Sequence, residues 1–494
     1  MRLCRHLFLA TTALTMLGAL PAQGMSLQEA AFQATATNPQ IEAAKENRRA
    51  QVFELRQGRG LYFPRLDVSA DVGPEWTETR AIDEKTLLRY DTQIRLTQLL
   101  FDGFDREAKI EQRAARLDGA SLRVEERVET LSLDAAEVYM DVLRYQELLD
   151  IAAENIAVHE DILSRVGQRV NAGQSGVGDQ QQTESRLSAA RDTLVSAEQD
   201  LADARARFLT IVGSEPEALS PPPSLESALP ASVNEAVVYA VNNSPTLRAR
   251  AAQIDEARAA HREAGGAYYP TIELELQHKR NHNVDGVEGI NNDASAMVML
   301  SWNLFNGGID TARRVEMSHR IGEQRAETMQ VERAVAEETR LSWNALESAR
   351  NRVAILRDQV ASNTEVVDTY RQEFLIGQRD LLDLLDSENE LFLSRSALVS
   401  AEYVTDFAVY RILAVMGALS SALGVADPEE AAADARAGAG VVPDYAFGDR
   451  TVEGVTRPAP DMQVRAPASA PAAEAVEVSH RPAPVPGTKP TSTQ

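Results

Sequence analysis

Two hydrophobic patterns recur along the chain, and each predicts a different secondary structure. In residues 65–72 and 271–277 apolar and polar side chains alternate strictly, as they do in a β-strand with one apolar face. After a polar loop, a second strand returns in each copy, at residues 90–96 and 296–304, with every second residue forming a mainly apolar face. The sequence therefore predicts four strands in two pairs.

A much longer pattern follows each pair of strands. From Val128 to Val170 apolar residues recur at alternating spacings of three and four, and only His159 interrupts them. The same pattern returns 204 residues later, with Asn363 in the position of His159. A repeat of 3.5 residues over so many turns predicts a coiled-coil helix, which at about 1.5 Å per residue would span about 100 Å from Asp105.

The order of these segments repeats, which indicates an internal duplication. Each copy reads as a helix (27–57 and 233–264), two strands, the long helix, a glycine-containing turn and a returning helix. Tyr-Phe-Pro at 62–64 recurs as Tyr-Tyr-Pro at 268–270, and Leu-Phe-Asp-Gly at 100–103 recurs as Leu-Phe-Asn-Gly at 304–307. The helix–strand junctions are thus marked by Pro64, Pro270, Gly103 and Gly307.

Breaks in the pattern set the expected domain boundaries. Arg2 and Arg5 precede an apolar run and the small residues 22–24, which predicts a cleaved signal peptide. Ten of the 21 prolines follow position 427, so the C-terminal region is predicted to be disordered. The expected units are a signal peptide (1–24), a first repeat (25–213), a linker (214–231), a second repeat (232–425) and an Ala/Pro-rich tail (426–494).

Composition and charge exclude several classes of protein. Only 5% of the 494 residues are aromatic against 44% hydrophobic, which suits long Ala- and Leu-rich helices better than an α/β enzyme. The net charge of −24 repels nucleic acid. The single cysteine, Cys4, lies in the predicted signal peptide, so a disulfide framework, a Cys-zinc site and a thiol nucleophile are excluded together.

Candidate catalytic and metal chemistry is weak. No phosphate-binding loop, GxSxG elbow or HExxH helix occurs, so we expect no enzyme activity and no cofactor. His278 and His282 are four apart but lie where a strand enters a loop, so we expect no metal site. His159 and Asn363 are interpreted as solvated or water-bridged polar positions, with a pH sensor at His159 as the alternative.

The strands leave two interpretations open. They could pack on helices in a soluble protein, or they could meet lipid on the apolar face and water on the polar one. Four strands are too few to close a membrane barrel, so in the second case several chains must pool their strands. The polar side chains favour a water-filled lumen: Arg65, Asp67, Asp71, Glu273 and Glu275.

Over residues 25–420 the duplication, the Tyr-x-Pro junctions, the Leu-Phe-Asx-Gly strand exits and the glycine turns resemble the TolC-like outer membrane efflux proteins of Gram-negative bacteria. The resemblance implies a mainly α fold with a β-barrel part. It also implies a homotrimer in outer membrane lipid, with a 12-stranded barrel continued by a 12-helix periplasmic tunnel. The segment 59–80 is most similar to members that serve type I protein secretion.

The resemblance also implies where the tunnel closes, at the turns that contain Gly173 and Gly377. In the second turn Asp383 and Asp386 match two acidic residues that ring the closed aperture. Asp179 in the first turn matches the partner of an arginine equivalent to Arg379. Without the resemblance, the alternative interpretation is favoured, in which acidic residues near the start of a helix merely complement its dipole.

Three functions remain in competition at this point. The resemblance favours a passive exit duct driven through a periplasmic adaptor by an inner-membrane ABC or RND transporter. Within that class, type I protein secretion competes with efflux of drugs or metabolites. From another class, a non-transporting coiled-coil tether would also use long helices, although it needs no strands with one apolar face.

Overall fold

A computed structural model of the protein describes residues 24–438. The predicted signal peptide up to residue 23 and the tail from residue 439 lie outside this part of the chain. The helices are α1 (Leu27–Thr37), α2 (Pro39–Gly60), α3 (Asp105–Asn171), α4 (Val177–Val212), α5 (Val233–Asn243), α6 (Pro245–Glu263), α7 (Ile309–Leu375), α8 (Leu381–Met416) and α9 (Leu419–Ala422), and the strands are β1 (Arg65–Thr77), β2 (Lys85–Phe101), β3 (Thr271–His282) and β4 (Ile290–Ser301).

The first helix of each repeat is broken in two, which the hydrophobic pattern did not predict. Pro39 and Pro245 each occupy the first position of a new helix, where proline fits because its missing N–H would have no helical partner. The side chain of Asn38 accepts a hydrogen bond from the backbone N–H of Gln40 at 2.9 Å. The two Asx/Ser-Pro steps therefore start new helices rather than lying inside one.

The long helices and their hairpins are confirmed. α3 and α7 each contain 67 residues, about 100 Å at the usual rise, and α4 and α8 return along them with 36 residues each. The seam of α3 is buried at Val128, Leu131 and Ala135, and that of α7 at Leu346 and Val353.

The two polar positions in the seams differ: His159 is buried, so the interpretation of a solvated side chain was wrong there, whereas Asn363 is only partly buried. His159 is 3% exposed, and its Nδ1 lies 2.9 Å from the carbonyl oxygen of Asn155 one turn earlier. Asn363 donates from Nδ2 to the carbonyl oxygen of Glu390 and to Oγ of Ser394, both on α8. Each side chain thus has a protein partner, and at His159 this allows the seam to bury a polar group.

The four strands form one antiparallel sheet in the order β1-β2-β3-β4. The register places Leu66, Leu96, Leu276 and Ala296 side by side on one face. The neighbouring row, on the other face, is polar and contains Asp67, Arg95, Gln277 and Ser295. The predicted division into an apolar and a polar face is therefore present at this level of all four strands, although Met297 and Met299 of β4 also lie on the polar face.

Helix and sheet are joined at tight junctions. Pro64 and Pro270 immediately precede β1 and β3. Gly103 has φ +69°, and a Cβ there would lie 2.5 Å from Cβ of Tyr269 and 2.8 Å from the carbonyl oxygen of Gly266. Only glycine fits both this conformation and this space, so the two junctions pack against each other at Gly103.

The largest hydrophobic core lies where the two repeats meet. It joins residues of α1, α3, α4, α5, α7 and α8 around Tyr139, Phe208 and Tyr410. The hydroxyl of Tyr139 donates to the carbonyl oxygen of Met25 at 2.8 Å and lies 2.5 Å from that of Ser220. The linker between the repeats is thereby fixed to the core, with a short 3₁₀ turn at Glu226–Ala228.

The ordered chain continues past the boundary expected at residue 425. Residues 428–438, called here the C-terminal strap, contain two 3₁₀ turns and lie against α2, α3 and α6. Arg436 donates to the buried carboxylate of Asp118 on α3 and pairs with Asp255 on α6. Disorder from residue 426 was therefore the wrong expectation for this segment, because small alanines and one arginine fit a groove between three helices.

None of the helices within residues 24–438 is both long and apolar enough to cross a membrane.

Candidate functional site

The two long hairpins end in turns of the same design. Gly173 and Gly377 have φ +69° and +77°, which leaves each helix through the left-handed conformation that glycine adopts without strain. In each turn the next residue donates a backbone hydrogen bond five residues back, Gln174 to Arg169 and Gln378 to Glu373. Both predicted hairpin turns are thus present.

The two hairpin ends pack against each other within one chain. Ile162 and Val166 of α3 form a buried cluster with Phe374 of α7 and with Leu381, Leu384 and Leu385 of α8. Arg169 donates to the carbonyl oxygen of Phe374 at 2.8 Å, and its guanidinium lies 4.7 Å from the centre of the Phe374 ring. This cluster sets the position of the acidic residues at the start of α8.

Asp383 and Asp386 lie one turn apart near the start of α8, and each has an arginine partner. Asp383 accepts from Arg379 at 3.2 Å, while Arg379 also donates to Glu373 at 2.9 Å. Asp386 accepts from Arg186 of α4 at 2.8 Å, which connects the two hairpins. About half of each carboxylate side chain remains exposed, so both acids can still meet solvent or a cation.

The four residues matched by resemblance are not all brought together in one chain. Asp179 accepts at Oδ2 from the backbone N–H of Gly176 at the start of its own helix. Arg379 instead bridges α7 and α8, and its guanidinium lies 4.0 Å from the centre of the Tyr370 ring. No Arg379–Asp179 contact occurs within the single chain that the structure describes.

Sequence reasoning missed Arg169 and Arg186. Each acts on a partner roughly 200 residues away, Phe374 and Asp386, so no local motif could reveal the pairing. The available signal was the internal repeat itself, which places corresponding positions of the two hairpins side by side.

Apolar side chains are exposed beside these acids. Val177, Leu375 and Ile376 at the hairpin ends are each more than half exposed, and Leu382 is nearly half exposed. Exposed large apolar groups clustered at one end of a helical hairpin are typical of a surface that contacts another protein.

The polar face of the sheet carries a second group of paired charges. Asp91 is 6% exposed and accepts from Arg89 at 3.0 Å, and Nζ of Lys279 lies 3.0 Å from the same oxygen. Arg89 also pairs with Glu75, and Arg95 approaches Glu275 at 3.5 Å. A face lined with alternating acids and bases is wetted easily and suits a water-filled space.

No group of three or more His, Cys, Asp or Glu side chains in the described residues is arranged to hold a metal ion. His278 and His282 lie on β3 with Arg280 between them. The two histidines are therefore side chains on the surface of a strand and belong to no candidate metal site within the described residues.

A sequence model of the family described as outer membrane efflux protein matches residues 31–214 and 237–418. The chain belongs to this family. The two matched segments coincide with the two repeats, and together they cover most of the chain. Members of the family are channels rather than enzymes, and this protein is accordingly an outer membrane channel.

Curated relatives of this outer membrane efflux protein span most of its length. The outer membrane efflux protein BepC of Brucella suis is 27% identical over 421 residues, 85% of this chain and 91% of BepC. The outer membrane protein TolC of Escherichia coli is 23% identical over 77% of this chain and 80% of TolC. The alkaline protease secretion protein AprF of Pseudomonas aeruginosa is 24% identical over 74% of this chain and 79% of AprF.

The fold agrees with that of a solved channel. The outer membrane protein VceC of Vibrio cholerae superposes with a TM-score of 0.69 at 14% identity, over 79% of this chain and 96% of VceC. Identity this low relates the folds alone. The efflux protein described here thus shares its fold with this outer membrane protein.

Proposed function

We propose that the protein is the outer membrane exit duct of a type I protein secretion system. It would receive substrate from an inner-membrane ABC transporter through a periplasmic adaptor. Support comes from the relatives named as secretion proteins, such as AprF, and from the division of the sheet into an apolar and a polar face. The observation that carries the duct itself is this sheet, since a periplasmic tether would have no use for an apolar face turned outward.

A trimer explains what one copy leaves uncovered. The outer edges of β1 and β4 lack partner strands among residues 24–438, and lipid offers none to an open sheet edge. The first half of α7 is also mostly exposed, including Ile309, Val315 and Met329. Three copies would pool four strands each and cover this part of α7 with a neighbouring chain.

The hairpin ends would form the periplasmic gate of this trimer. Asp383 and Asp386 from three copies would surround the narrow end of the duct and attract cations. Arg186 and Arg379 would hold each acid in place within its own chain, and Arg379 and Asp179 of adjacent copies would link the hairpins. The exposed Val177, Leu375 and Ile376 would offer the adaptor its contact surface.

Conductance of the purified protein in a planar lipid bilayer tests this function. Wild-type protein should form cation-selective channels that hexamminecobalt(III) blocks from the periplasmic side. The double variant Asp383→Ala and Asp386→Ala should need at least about tenfold more of this cation for half block, because the charges that bind it are gone. Asp161→Ala is the matched control, since Asp161 is a half-exposed carboxylate that pairs with Arg165 on the same helix.

Two results would contradict the proposal at different levels. If the wild-type protein inserts into the bilayer and conducts no ions, a tether would replace the duct. If the double variant keeps wild-type block while the channel conducts, the acidic ring lies elsewhere and the duct stands.

Efflux of small molecules is the second candidate, favoured by the description of BepC as an efflux protein. The two functions share one duct and differ in the transporter that feeds it. Deletion of the gene should stop secretion of a large protein under the first proposal, whereas it should increase sensitivity to drugs or metabolites under the second.

A further inference from the structure

The apolar face of the sheet changes character along β3. Ile272, Leu274 and Leu276 occupy successive outward positions near the helix end of the strand. His278, Arg280 and His282 occupy the next three outward positions toward the β3–β4 loop. One strand thus presents an apolar half followed by a basic half on the same face.

The surroundings of Arg280 are complete within one chain, because β3 is an inner strand. Its neighbours across the sheet are Thr92 on β2 and Asn292 on β4. None of the outward positions of the four described strands holds an Asp or Glu; the acids lie on the polar face, at positions 67, 71, 75, 91, 273, 275 and 293.

Arg280 has no ion pair and no hydrogen bond to a side chain among residues 24–438, and it is exposed. Nearby, Nδ1 of His282 is buried without a hydrogen-bond partner, and its ring lies edge-on to Tyr90 at 6.2 Å. A guanidinium on an outward face with no acid beside it calls for an anion from outside the chain.

The position of these residues along the strand specifies that anion. Phe101, Phe104 and Tyr269 form edge-to-face pairs where the strands meet the helices, as aromatic residues do at a membrane surface. Arg280 lies eleven residues beyond Tyr269, roughly 36 Å along the strand, or roughly 28 Å for a strand tilted by about 40°. The apolar band of such proteins is about 25 Å tall, so Arg280 reaches the opposite surface.

We propose that His278, Arg280 and His282 form a binding site for the phosphate groups of a lipid in the outer leaflet. This rests on the proposed function, in which the sheet spans the outer membrane. Arg280 would bind the phosphate through two parallel N–H donors, and the two imidazoles would donate from either side. Leu274 and Leu276 below would contact the acyl chains of the same lipid.

Native mass spectrometry of the full chain in detergent tests the site, with lipid A bearing two phosphates as the probe. The triple variant His278→Gln, Arg280→Gln and His282→Gln should bind this lipid at least about tenfold more weakly, the effect expected for the loss of a charged hydrogen bond. Arg280→Lys should retain part of the binding. Arg65→Gln is the matched control, because Arg65 is an exposed arginine on the polar face.

Three comparisons decide the outcome. Lipid A without phosphates should bind the wild-type protein no better than it binds the triple variant. Equal binding of phosphorylated lipid A to the wild type and to the triple variant would overturn the proposal. Complete displacement of the lipid by millimolar inorganic phosphate would overturn it as well. Conductance measured on the same preparations separates the two proposals. If the protein conducts ions but does not prefer phosphorylated lipid A, the lipid site is disproved and the channel function stands.

Discussion

Glu129 is a buried carboxylate of α3 that holds the start of α9 near the C-terminal end of the second repeat. Its oxygens accept from the backbone N–H groups of Leu419 and Ser420 at 3.0 and 3.2 Å, and from Oγ of Ser420 at 2.5 Å. Burial raises the pKa of Glu129 from 4.5 to about 7, against the opposing effect of these hydrogen bonds. The nearby carboxylate of Asp427 also raises it.

This shift predicts a stability that depends on pH. Between about 4.5 and about 7 the folded protein keeps the proton that the unfolded chain has lost, so the free energy of unfolding falls as pH rises through this window. Full ionisation costs roughly 3 kcal/mol. Glu129→Gln removes this cost. The melting temperature of the variant relative to that of the wild type should therefore be higher at pH 8 than at pH 4.5.

Thermal unfolding of the detergent-extracted protein, followed by circular dichroism at both pH values, measures the difference. Glu111→Gln on the same helix is the control, because Glu111 is an exposed carboxylate paired with Arg262. A constant difference between the melting temperatures of the wild type and Glu129→Gln across this range would show that Glu129 does not titrate there.

Individual residues could be predicted from the sequence where their role is to set the backbone conformation. Residues whose role is to pair with a side chain distant in the sequence were missed. Gly103, Gly173 and Gly377 all have positive φ, as glycines placed at strand exits and helix ends should. No local pattern singles out Glu129 or Arg186, because their partners Ser420 and Asp386 are 291 and 200 residues away.

Among the elements, the C-terminal strap was the least expected. Asp118 of α3 is 1% exposed, and the strap supplies its partners: the backbone N–H of Ala435 at 2.7 Å and Nε of Arg436 at 2.5 Å. Ala431 enters the cluster of Ile41 and Val124. The strap thus satisfies a buried charge that α2, α3 and α6 alone would leave unpaired.

Two truncations isolate this contribution. A chain ending at Gly438 should keep the melting temperature of the full protein, whereas a chain ending at Asp427 should melt at a lower temperature. The free energy of unfolding should fall by about 3 kcal/mol in the chain that ends at Asp427, because the Asp118 carboxylate is then buried without a partner.

Arg436→Ala in the full chain should reproduce most of this loss of stability. Asp118→Asn in the chain that ends at Asp427 should recover part of the lost stability. Equal melting temperatures for the two truncated chains would show that the strap does not stabilise the helices.

The secondary structure was predictable where one period continues for many residues. The boundaries of α3 agree with the sequence prediction to within one residue at its C-terminal end, because the seam is long and Gly173 ends it. The break at Asn38-Pro39 was not predicted, since the hydrophobic pattern continues through it. The strap was missed because a composition rich in alanine and proline carries no period at all.

For the molecule as a whole, the exposed apolar face of the sheet and the uncovered half of α7 lead to one prediction, trimeric assembly. Protein extracted from the outer membrane in detergent should have three times the mass of the processed chain after subtraction of bound detergent. Its circular dichroism should show both helix and strand. Analytical ultracentrifugation that finds a stable monomer with full secondary structure would contradict this assembly.

The duplication, the long helices and the four strands with their two faces can all be predicted from the sequence, because each depends on a local period or on a repeated junction. The pairing of charged side chains becomes visible only in the folded chain. Asp383 and Asp386 have different arginine partners, and Asp118 pairs with Arg436 of the strap. Arg280, on the apolar face of the sheet, has no acid beside it on that face of the described strands. Hydrophobic periodicity is a property of neighbouring residues, whereas ion pairing depends on distances across the fold that no local pattern records.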